Sequence, residues 1–264
     1  MIAAVPAYAQ DRIPSHCIAL SQSAPGISYI HRASWAEPVA QDEVRITYID
    51  HSMFLIQSQG GTAAMTDFTG YYGNVDFIPD VVTMNNAHSS YWTSFPDPAI
   101  THALKGWSDA GAPREHYIDL GDMLVRNVHT DTRGRDGGSS ANGNSIFVFE
   151  AAGLCIGHLG HLHQEPSPAQ YAALGRMNVV MAAVDGGLTL DHTTLVRVLD
   201  RLRSSVVIPM HWFGRQTLDA FLIDMTESGY AVDRTGMTTL TLSLGDLPSE
   251  RTVMVLEPRI LTSE

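Results

Sequence analysis

The stretch Leu154-Cys-Ile-Gly-His-Leu-Gly-His-Leu-His163 joins a short apolar run to three histidines. Two other stretches have the same form: Val81-Val-Thr-Met84 leads into Asn86-Ala-His88, and Val206-Val-Ile208 leads into Pro209-Met-His211. Apolar runs of this length, bounded by polar residues, predict buried strands. Loops that follow strands lie along a rim of the sheet, where a rigid scaffold can hold a site. The three stretches therefore predict a histidine-rich site at one edge of a sheet.

Histidine clusters of this kind favour a transition metal. Neutral imidazole is a ligand of zinc, iron, copper and nickel, whereas calcium and magnesium prefer oxygen ligands. The chain has 12 histidines against 16 lysines and arginines. Taken singly, each clustered histidine is more typical of an ordinary loop residue. Their shared position after three apolar runs favours the metal interpretation for the group His88, His158, His161, His163 and His211.

Composition and charge exclude several classes of protein. The chain has 264 residues, 44% of them hydrophobic and 17% charged, which is typical of a compact globular protein rather than a disordered one. The formal net charge of -12 argues against a nucleic-acid-binding role, because affinity for phosphate backbones depends on lysine and arginine. No apolar run is long enough for a transmembrane helix. We therefore expect a small-molecule substrate as the partner.

The N-terminal region is predicted to be separate from the folded body. Ala7-Tyr8-Ala9 matches the small-x-small pattern of a signal-peptidase site, so residues 1–43 are interpreted as the stump of a signal peptide plus an irregular arm. On that interpretation the protein is periplasmic or secreted, and otherwise it is cytoplasmic. Residues 44–264 are expected to form a single domain. If the protein is exported, Cys17 could pair with Cys155, but we expect both to remain unpaired, because Cys155 lies in an apolar run where a buried thiol usually serves packing.

The predicted order of elements is strands first, then alternating strands and helices, which favours a layered α/β or α+β sandwich. Helices are predicted near residues 98–107, 168–174, 193–202 and 218–225, and a Gly/Ser/Asn loop is predicted at 133–144. The other apolar runs are predicted as strands: 44–49, 53–56, 62–66, 81–84, 117–120, 123–128, 145–149, 154–156, 179–184, 206–208, 238–244 and 253–256.

Taken together, these motifs resemble those of the metallo-β-lactamase-fold hydrolases. The resemblance rests on Ile46-Thr-Tyr-Ile-Asp-His-Ser-Met-Phe-Leu-Ile56, Thr66-Asp67, Pro79-Asp-Val-Val-Thr83, Asn144-Ser-Ile-Phe-Val-Phe149, Gly157-His-Leu-Gly-His161, Val184-Asp-Gly-Gly187 and Ile208-Pro-Met-His211. It covers about residues 44–215 and is strongest to the branch of the ascorbate-6-phosphate lactonase-like "beta-lactamase superfamily domain" proteins. It implies an αββα sandwich with a metal site at the edge shared by two sheets.

The resemblance also shows where the chain departs from the family pattern. The family's first metal-binding loop has the form His-x-His-x-Asp-His, and here it stands as Asn86-Ala-His88-Ser-Ser90-Tyr91. The family's later Gly-Asp, whose aspartate bridges two metals, stands as Gly160-His161.

Other histidines and carboxylates match the pattern. His211 matches the final histidine, and His129 is a looser match for a histidine in the middle of the chain. His51 and Asp67 match supporting positions, and His158 and His163 match histidines that flank the Gly-Asp in this branch.

These replacements predict one metal ion rather than two. A two-metal site needs carboxylates to offset four positive charges and to bridge the ions, and both aspartates are missing here. The expected ion is zinc, with iron or manganese as alternatives. Its predicted ligands are His88, His161 and His211, with His129 or His158 as the fourth.

The predicted function is metal-dependent hydrolysis of an ester, lactone, amide or phosphoester. Asp185 is a candidate for the group that moves the proton during hydrolysis. The alternative, that Asp185 only caps a turn, is equally compatible with its position. Tyr91 could line the substrate pocket or simply pack where a ligand has been lost. Arg133 and Arg135 could hold an anionic substrate group, although solvated loop arginines are more common. The alternatives are a degenerate, non-catalytic member that binds a ligand or partner at the remnant site, and a non-hydrolytic iron enzyme.

Overall fold

The computed structural model describes residues 13–19, 34–88, 90–107, 112–134 and 138–263, so the Ala7-Tyr8-Ala9 motif lies outside the described residues. In chain order the elements are α1 (His16–Ala19), β1 (Glu43–Asp50), β2 (Met53–Ser58), β3 (Ala63–Met65), β4 (Gly73–Asn74), β5 (Val81–Met84), β6 (His102–Lys105), β7 (Tyr117–Asp119), β8 (Met123–Arg133), β9 (Ser139–Ala151), β10 (Leu154–His158), α2 (Pro168–Leu174), β11 (Val179–Ala183), α3 (His192–Leu202), β12 (Val206–Met210), α4 (Arg215–Glu227), β13 (Ala231–Arg234), β14 (Thr239–Ser243), β15 (Thr252–Val255) and β16 (Leu261–Thr262). A short 3-10 helix spans Leu244–Asp246.

Two large sheets form the body of the protein. The smaller has the strand order β14-β1-β2-β3-β5-β6, and the larger has the order β13-β15-β12-β11-β10-β9-β8-β7. In the larger sheet β10, β11 and β12 are parallel neighbours. Their carboxyl ends therefore lie at the same edge, which is where the three loops that carry His161, Asp185 and His211 begin.

The hydrophobic core lies between the two sheets, as expected for a sandwich. Ile46 and Phe54 of the smaller sheet and Phe147 and Ile208 of the larger one belong to the same buried cluster. On the outer face of the larger sheet a second cluster includes Leu195, Val198, Leu199, Phe221 and Met225 of helices α3 and α4. Helix α3 places apolar residues at i, i+3, i+4 and i+7, so one face of it is buried.

The fold is the αββα sandwich that the sequence predicts. The outer face of the smaller sheet carries a third cluster, onto which loop residues Trp35, Tyr72, Phe77 and Trp92 pack. None of the helices in the described part of the chain is long and apolar enough to cross a membrane.

Two local predictions are wrong. The segment predicted as a helix at 98–107 contains β6, which pairs in parallel with β5 through Val81 and His102. The predicted loop at 133–144 is largely strand, because β8 and β9 form a long hairpin whose pairing extends to Arg133 and Ser139. Residues 135–137 lie outside the described residues. Polar composition suggested a loop in the second case, but the far end of this hairpin is exposed and can be polar.

The expectation that the cysteines stay unpaired is also wrong, because Cys17 and Cys155 form a disulfide. Polar contacts hold the short segment that carries Cys17. Ser15 Oγ donates to Glu150 Oε1 at 2.5 Å, and the backbone N–H of His16 donates to Glu150 Oε2 at 3.0 Å. Glu150 is itself buried and accepts from Arg126 Nε at 2.7 Å. An apolar run around Cys155 identified its burial but not its distant partner.

We predict that the disulfide makes a large contribution to stability. It joins residues 138 positions apart, and closing a loop of that length in the unfolded chain is worth about 2–5 kcal/mol. Replacing Cys17 and Cys155 together by alanine should lower the free energy of unfolding, measured in urea, by that amount. Dithiothreitol should destabilise the wild-type protein and leave the double variant unchanged. Equal stability of the two proteins without reductant would contradict this prediction.

Candidate metal centre

A cavity of about 590 Å³ opens at the edge where the loops of the two sheets meet. Twelve of the described residues line it, and four of these are histidines: His51, His88, His161 and His211. The others are Asp50, Ser52, Met53, Asp67, Thr69, Ser90, Leu188 and Phe213. The predicted ligands His88, His161 and His211 are therefore brought to one cavity by the loops after β5, β10 and β12.

Hydrogen bonds of Asn86 and Ser90 hold the loop after β5. Asn86 Nδ2 donates to Gly143 O at 2.8 Å, and Asn86 Oδ1 accepts from the backbone N–H of His88 at 2.9 Å. Ser90 Oγ lies 2.8 Å from His88 Nδ1. Asn86 and Ser90 thus form hydrogen bonds within the loops. The Nε2 atom of the exposed His88 takes no part in these contacts.

Asp185, His211 and Tyr91 form a continuous polar chain. His211 Nδ1 lies 2.9 Å from Asp185 Oδ2, and the Asp185 side chain has no exposed area. A histidine that ligates a metal usually has a carboxylate behind its other nitrogen, which fixes the tautomer and the ring orientation. The Tyr91 hydroxyl donates to His211 Nε2, and Tyr91 is fully buried. His211 therefore has the orientation of a metal ligand, with Asp185 beside its Nδ1 and the Tyr91 hydroxyl bonded to its Nε2.

The charge states along this chain follow from burial and hydrogen bonding. Burial alone would raise the pKa of Asp185, but His211 and the backbone N–H groups of Thr189 and Gly187 outweigh it, so the pKa is lowered and the carboxylate is ionised. Burial, with smaller contributions from Asp67 and Asp185, raises the pKa of Tyr91. Tyr91 is thus a hydrogen-bond donor, and Asp185 is too enclosed to reach a substrate.

His161 lies between the other two candidate ligands. Its ring centroid is 5.6 Å from that of His88 and 5.8 Å from that of His211. Its backbone N–H donates to the buried Asn144 Oδ1 at 2.9 Å. Burial, followed by the neighbouring His163, lowers the pKa of His161 to about 3, so the ring is neutral at pH 7 and can act as a ligand.

Gly160 is required for the position of His161. Its φ is +60°, a left-handed conformation that favours glycine. A Cβ atom at this position would lie 2.5 Å from Asn85 Nδ2 and 2.7 Å from Asn144 Oδ1. A side chain here would therefore disturb the two asparagines that anchor the loop.

The structure does not bring the two candidates for a fourth ligand to the cavity. His158 is fully buried, with Nε2 donating to Ser52 O at 2.8 Å and Nδ1 accepting from Asn85 Nδ2 at 3.1 Å. Both of its nitrogens are therefore in use. His129 lies on β8, where its Nδ1 is 3.2 Å from Ser145 Oγ.

His163 and Arg133 support a loop. His163 Nδ1 accepts from the backbone N–H of Arg133 at 3.0 Å, and His163 Nε2 donates to Leu188 O at 3.1 Å. The Arg133 guanidinium donates to Gly187 O and Thr189 O. The predicted role of Arg133 in holding an anionic substrate group therefore has no support in its contacts. Arg135, the other candidate, lies outside the described residues.

The backbone at the cavity wall is strained at three residues. His51, Asp67 and His211 have φ values of 46°, 39° and 61°, which non-glycine residues rarely adopt. Such residues cost of order 1–3 kcal/mol each and tend to cluster at functional sites. Asp67 is also fully buried with Oδ2 lacking a hydrogen-bond partner, and burial raises its pKa well above the usual value.

The residues at this cavity fit one transition-metal ion in their chemistry. His88, His161 and His211 supply three imidazoles, and Asp185 stands behind His211 as ligand chemistry requires. In the present arrangement their donor atoms do not form a group within 4.8 Å of one another, among the described residues. An ion would have to exchange with the Tyr91 hydroxyl at His211 Nε2.

Comparison with known protein families shows to which family the chain belongs. Residues 45–211 match the family described as "Beta-lactamase superfamily domain". The match covers more than half of the chain, so the protein belongs to this family. The sandwich fold and the histidine-lined cavity indicate the same class of protein. No curated protein matches the chain. The narrower resemblance to the lactonase-like branch is not supported further.

Solved structures agree on the fold. A candidate Zn-dependent hydrolase of the metallo-β-lactamase superfamily from Thermotoga maritima is 25% identical with a TM-score of 0.57, covering 82% of this chain and 100% of that one. The metallo hydrolase Igni18 of Ignicoccus hospitalis is 16% identical with a TM-score of 0.56, covering 76% and 99%. CmlA, a diiron β-hydroxylase of Streptomyces venezuelae, is 11% identical with a TM-score of 0.52, covering 78% and 55%.

Several residues of the cavity wall were not identified from the sequence. Thr69, Leu188 and Phe213 line it, and none belongs to a histidine cluster. Phe213 is two residues from His211, and Leu188 is three residues from Asp185. An apolar residue in a loop that carries a candidate site residue was the signal that could have found the last two.

The buried His158 predicts a loss of stability in acid. Burial lowers the pKa of His158 to about 4, below the ordinary 6.5 of the unfolded chain. The unfolded state therefore binds the additional proton between pH 6.5 and 4, and stability falls as the pH falls through this window. The loss from this residue should be roughly 3 kcal/mol. Urea unfolding from pH 8 to pH 4 measures it.

A His158→Gln variant tests the assignment to this residue. The variant should be less stable at pH 7, because the buried contacts change, and its stability should fall less steeply than that of the wild type below pH 6.5. Above pH 7 both proteins should show little dependence on pH. Parallel curves below pH 6.5 would assign the loss to other groups.

Proposed function

We propose that the protein is a hydrolase that uses one transition-metal ion held by His88, His161 and His211. The ion that we propose first is zinc. The observation that carries the proposal is that His88, His161 and His211 line one cavity, with Asp185 Oδ2 2.9 Å from His211 Nδ1. Family membership and the metal-dependent hydrolases among its structural neighbours support it.

The chain's own residues have distinct roles in this proposal. Such an ion, when bound, supplies Lewis acidity that polarises a carbonyl or phosphoryl oxygen and makes water more acidic. Asp185 is a positioning residue for His211 rather than the group that moves the proton, since it is enclosed. His51 lines the cavity with its ring 4.0 Å from that of His211, so it is placed to accept a proton. Tyr91 donates a hydrogen bond from behind the wall.

A second candidate function is ligand binding without catalysis, at a remnant of the family's site. The hydrogen bond from the Tyr91 hydroxyl to His211 Nε2 favours it, because it satisfies the nitrogen that a metal would use. Metal analysis separates the two functions. Less than about a tenth of an equivalent of zinc, iron or manganese after chelator-free purification, with no ester hydrolysis on adding them, would exclude the hydrolase.

The Cys17–Cys155 disulfide supports export as part of the proposal. Disulfides persist in oxidising compartments and are rare in a reducing cytosol. We therefore propose a location in the periplasm or outside the cell.

Substitution of the proposed ligands should reduce metal content. His88→Ala, His161→Ala and His211→Ala should each lower zinc stoichiometry, and with it the thermal stability of the zinc-loaded protein, because binding free energy adds to folding free energy. Asp185→Asn should weaken zinc affinity 10- to 100-fold, as expected for a partner behind a ligand. Elemental analysis and competition with a chelator provide the measurements.

The matched controls are two histidines away from the cavity. His192 begins α3, where its Nδ1 lies 3.3 Å from Asp224 Oδ2, and His129 contacts Ser145. His192→Ala and His129→Ala should keep wild-type zinc stoichiometry. A loss of zinc in His129→Ala would restore that residue as the fourth ligand.

Tyr91→Phe tests the exchange at His211. The variant removes the hydroxyl and leaves a buried His211 Nε2 without its partner, so the metal-free protein should lose about 1–3 kcal/mol of stability. Because no hydrogen bond then competes with the ion, zinc should bind up to about tenfold more tightly. Weaker zinc binding would mean that the Tyr91 oxygen is itself a ligand.

A further inference from the structure

The cavity wall has carboxylates but no fixed positive charge. Asp50 and Asp67 line it, and no lysine or arginine is among the described residues that do so. Asp185 adds a third carboxylate behind His211. These carboxylates would offset the charge of a divalent ion held at the cavity, so the ion would add little attraction for an anion.

The Arg133 guanidinium contacts the loop that carries Leu188, and it is already engaged there. Arg133 Nη2 donates to Thr189 O at 2.6 Å, and both of its terminal nitrogens lie 3.2 Å from Gly187 O. These bonds direct the guanidinium to backbone carbonyls on either side of Leu188. Among the described residues that line the cavity, none would therefore offer a lysine or arginine side chain to an anionic substrate group.

The mouth of the cavity instead presents two exposed apolar side chains. Leu188 is 59% exposed and Phe213 is 65% exposed, and both line the cavity. Isolated exposed apolar residues are common on any protein, but two at one cavity beside candidate ligands indicate a binding role. The Phe213 ring centroid is 5.1 Å from that of His211 and 5.6 Å from that of His51.

The backbone around Leu188 is firmly held, so its exposure is not that of a loose loop. Asp185 Oδ1 accepts from the backbone N–H groups of Gly187 and Thr189 at 3.0 Å each. His163 Nε2 donates to Leu188 O at 3.1 Å. With the bonds from Arg133, polar contacts fix both neighbours of Leu188 and leave its side chain at the cavity.

We propose that the cavity takes a neutral ester or lactone whose apolar group packs against Leu188 and Phe213, and that it discriminates against anionic substrates such as phosphomonoesters. This inference rests on the proposed function. In the reaction, the oxygen of water bonds to the acyl carbon, the carbon–oxygen bond to the alcohol breaks, and the alcohol oxygen takes a proton. Each methylene buried against the two side chains should strengthen binding roughly threefold to fourfold.

Hydrolysis by the zinc-loaded protein gives the first test. The value of kcat/KM should rise at least tenfold from p-nitrophenyl acetate to p-nitrophenyl hexanoate, and p-nitrophenyl phosphate should be turned over at least 100-fold more slowly than the hexanoate. Leu188→Ala and Phe213→Ala should each reduce the ratio of kcat/KM for the hexanoate to that for the acetate at least threefold. A preference for the phosphate would overturn the proposal.

The matched controls are exposed apolar residues that do not line the cavity. Phe95 is 88% exposed, and Ile223, on α4, is 59% exposed. Phe95→Ala and Ile223→Ala should keep the wild-type ratio of hexanoate to acetate. If the ratio of hexanoate to acetate hydrolysis fell as much in these controls as in Phe213→Ala, the proposal would also be overturned, because the effect would then not arise from residues that line the cavity.

Binding without turnover separates this inference from the proposed function. Calorimetry should show hexanamide binding at least tenfold more tightly than hexanoate. Arg135→Ala should retain this difference in affinity. Phe213→Ala should bind hexanamide more weakly than the wild type. If the protein binds no metal and hydrolyses nothing but shows this pattern, the hydrolase proposal fails and the neutral apolar subsite stands. Tighter binding of hexanoate, lost in Arg135→Ala, would show that the cavity recognises anions.

Discussion

The parallel pairing of β10, β11 and β12 is the constraint on which the site depends. Backbone hydrogen bonds fix the register of these strands, with Val179 opposite both Ile156 and Val206. Because their carboxyl ends then coincide, the loops that carry His161, Asp185 and His211 start side by side. A shift of one residue in any of the three would turn its buried residues to the opposite face of the sheet and move the loop with them.

Hydrogen bonds of Asn86, Ser90 and Tyr91 hold the loop after β5 at this edge. Asn86 Nδ2 donates to Gly143 O, and Ser90 Oγ lies within hydrogen-bond distance of His88 Nδ1. The Tyr91 hydroxyl reaches His211 Nε2 in the loop after β12. The polar groups of this loop therefore find partners within the protein, in keeping with the rule that buried polar groups are hydrogen-bonded.

Much of this could be predicted from the sequence. The alternation of strands and helices led to the sandwich, and the histidines after apolar runs led to three of the four histidines that line the cavity. His158 and His129 were also predicted as ligands, and neither is among the described residues that line the cavity. Spacing along the chain cannot separate a buried histidine that bonds to a carbonyl from one that faces a cavity.

The sequence by itself determined which segments are apolar enough to be strands and which residue types stand at their ends, because burial and side-chain chemistry are local properties. Only the tertiary structure decided which groups meet. The Cys17–Cys155 disulfide, the strand at His102–Lys105 and the contact of Tyr91 with His211 all join positions distant in the chain. Such contacts form because two sheets pack face to face around a shared core, and no single segment encodes that packing.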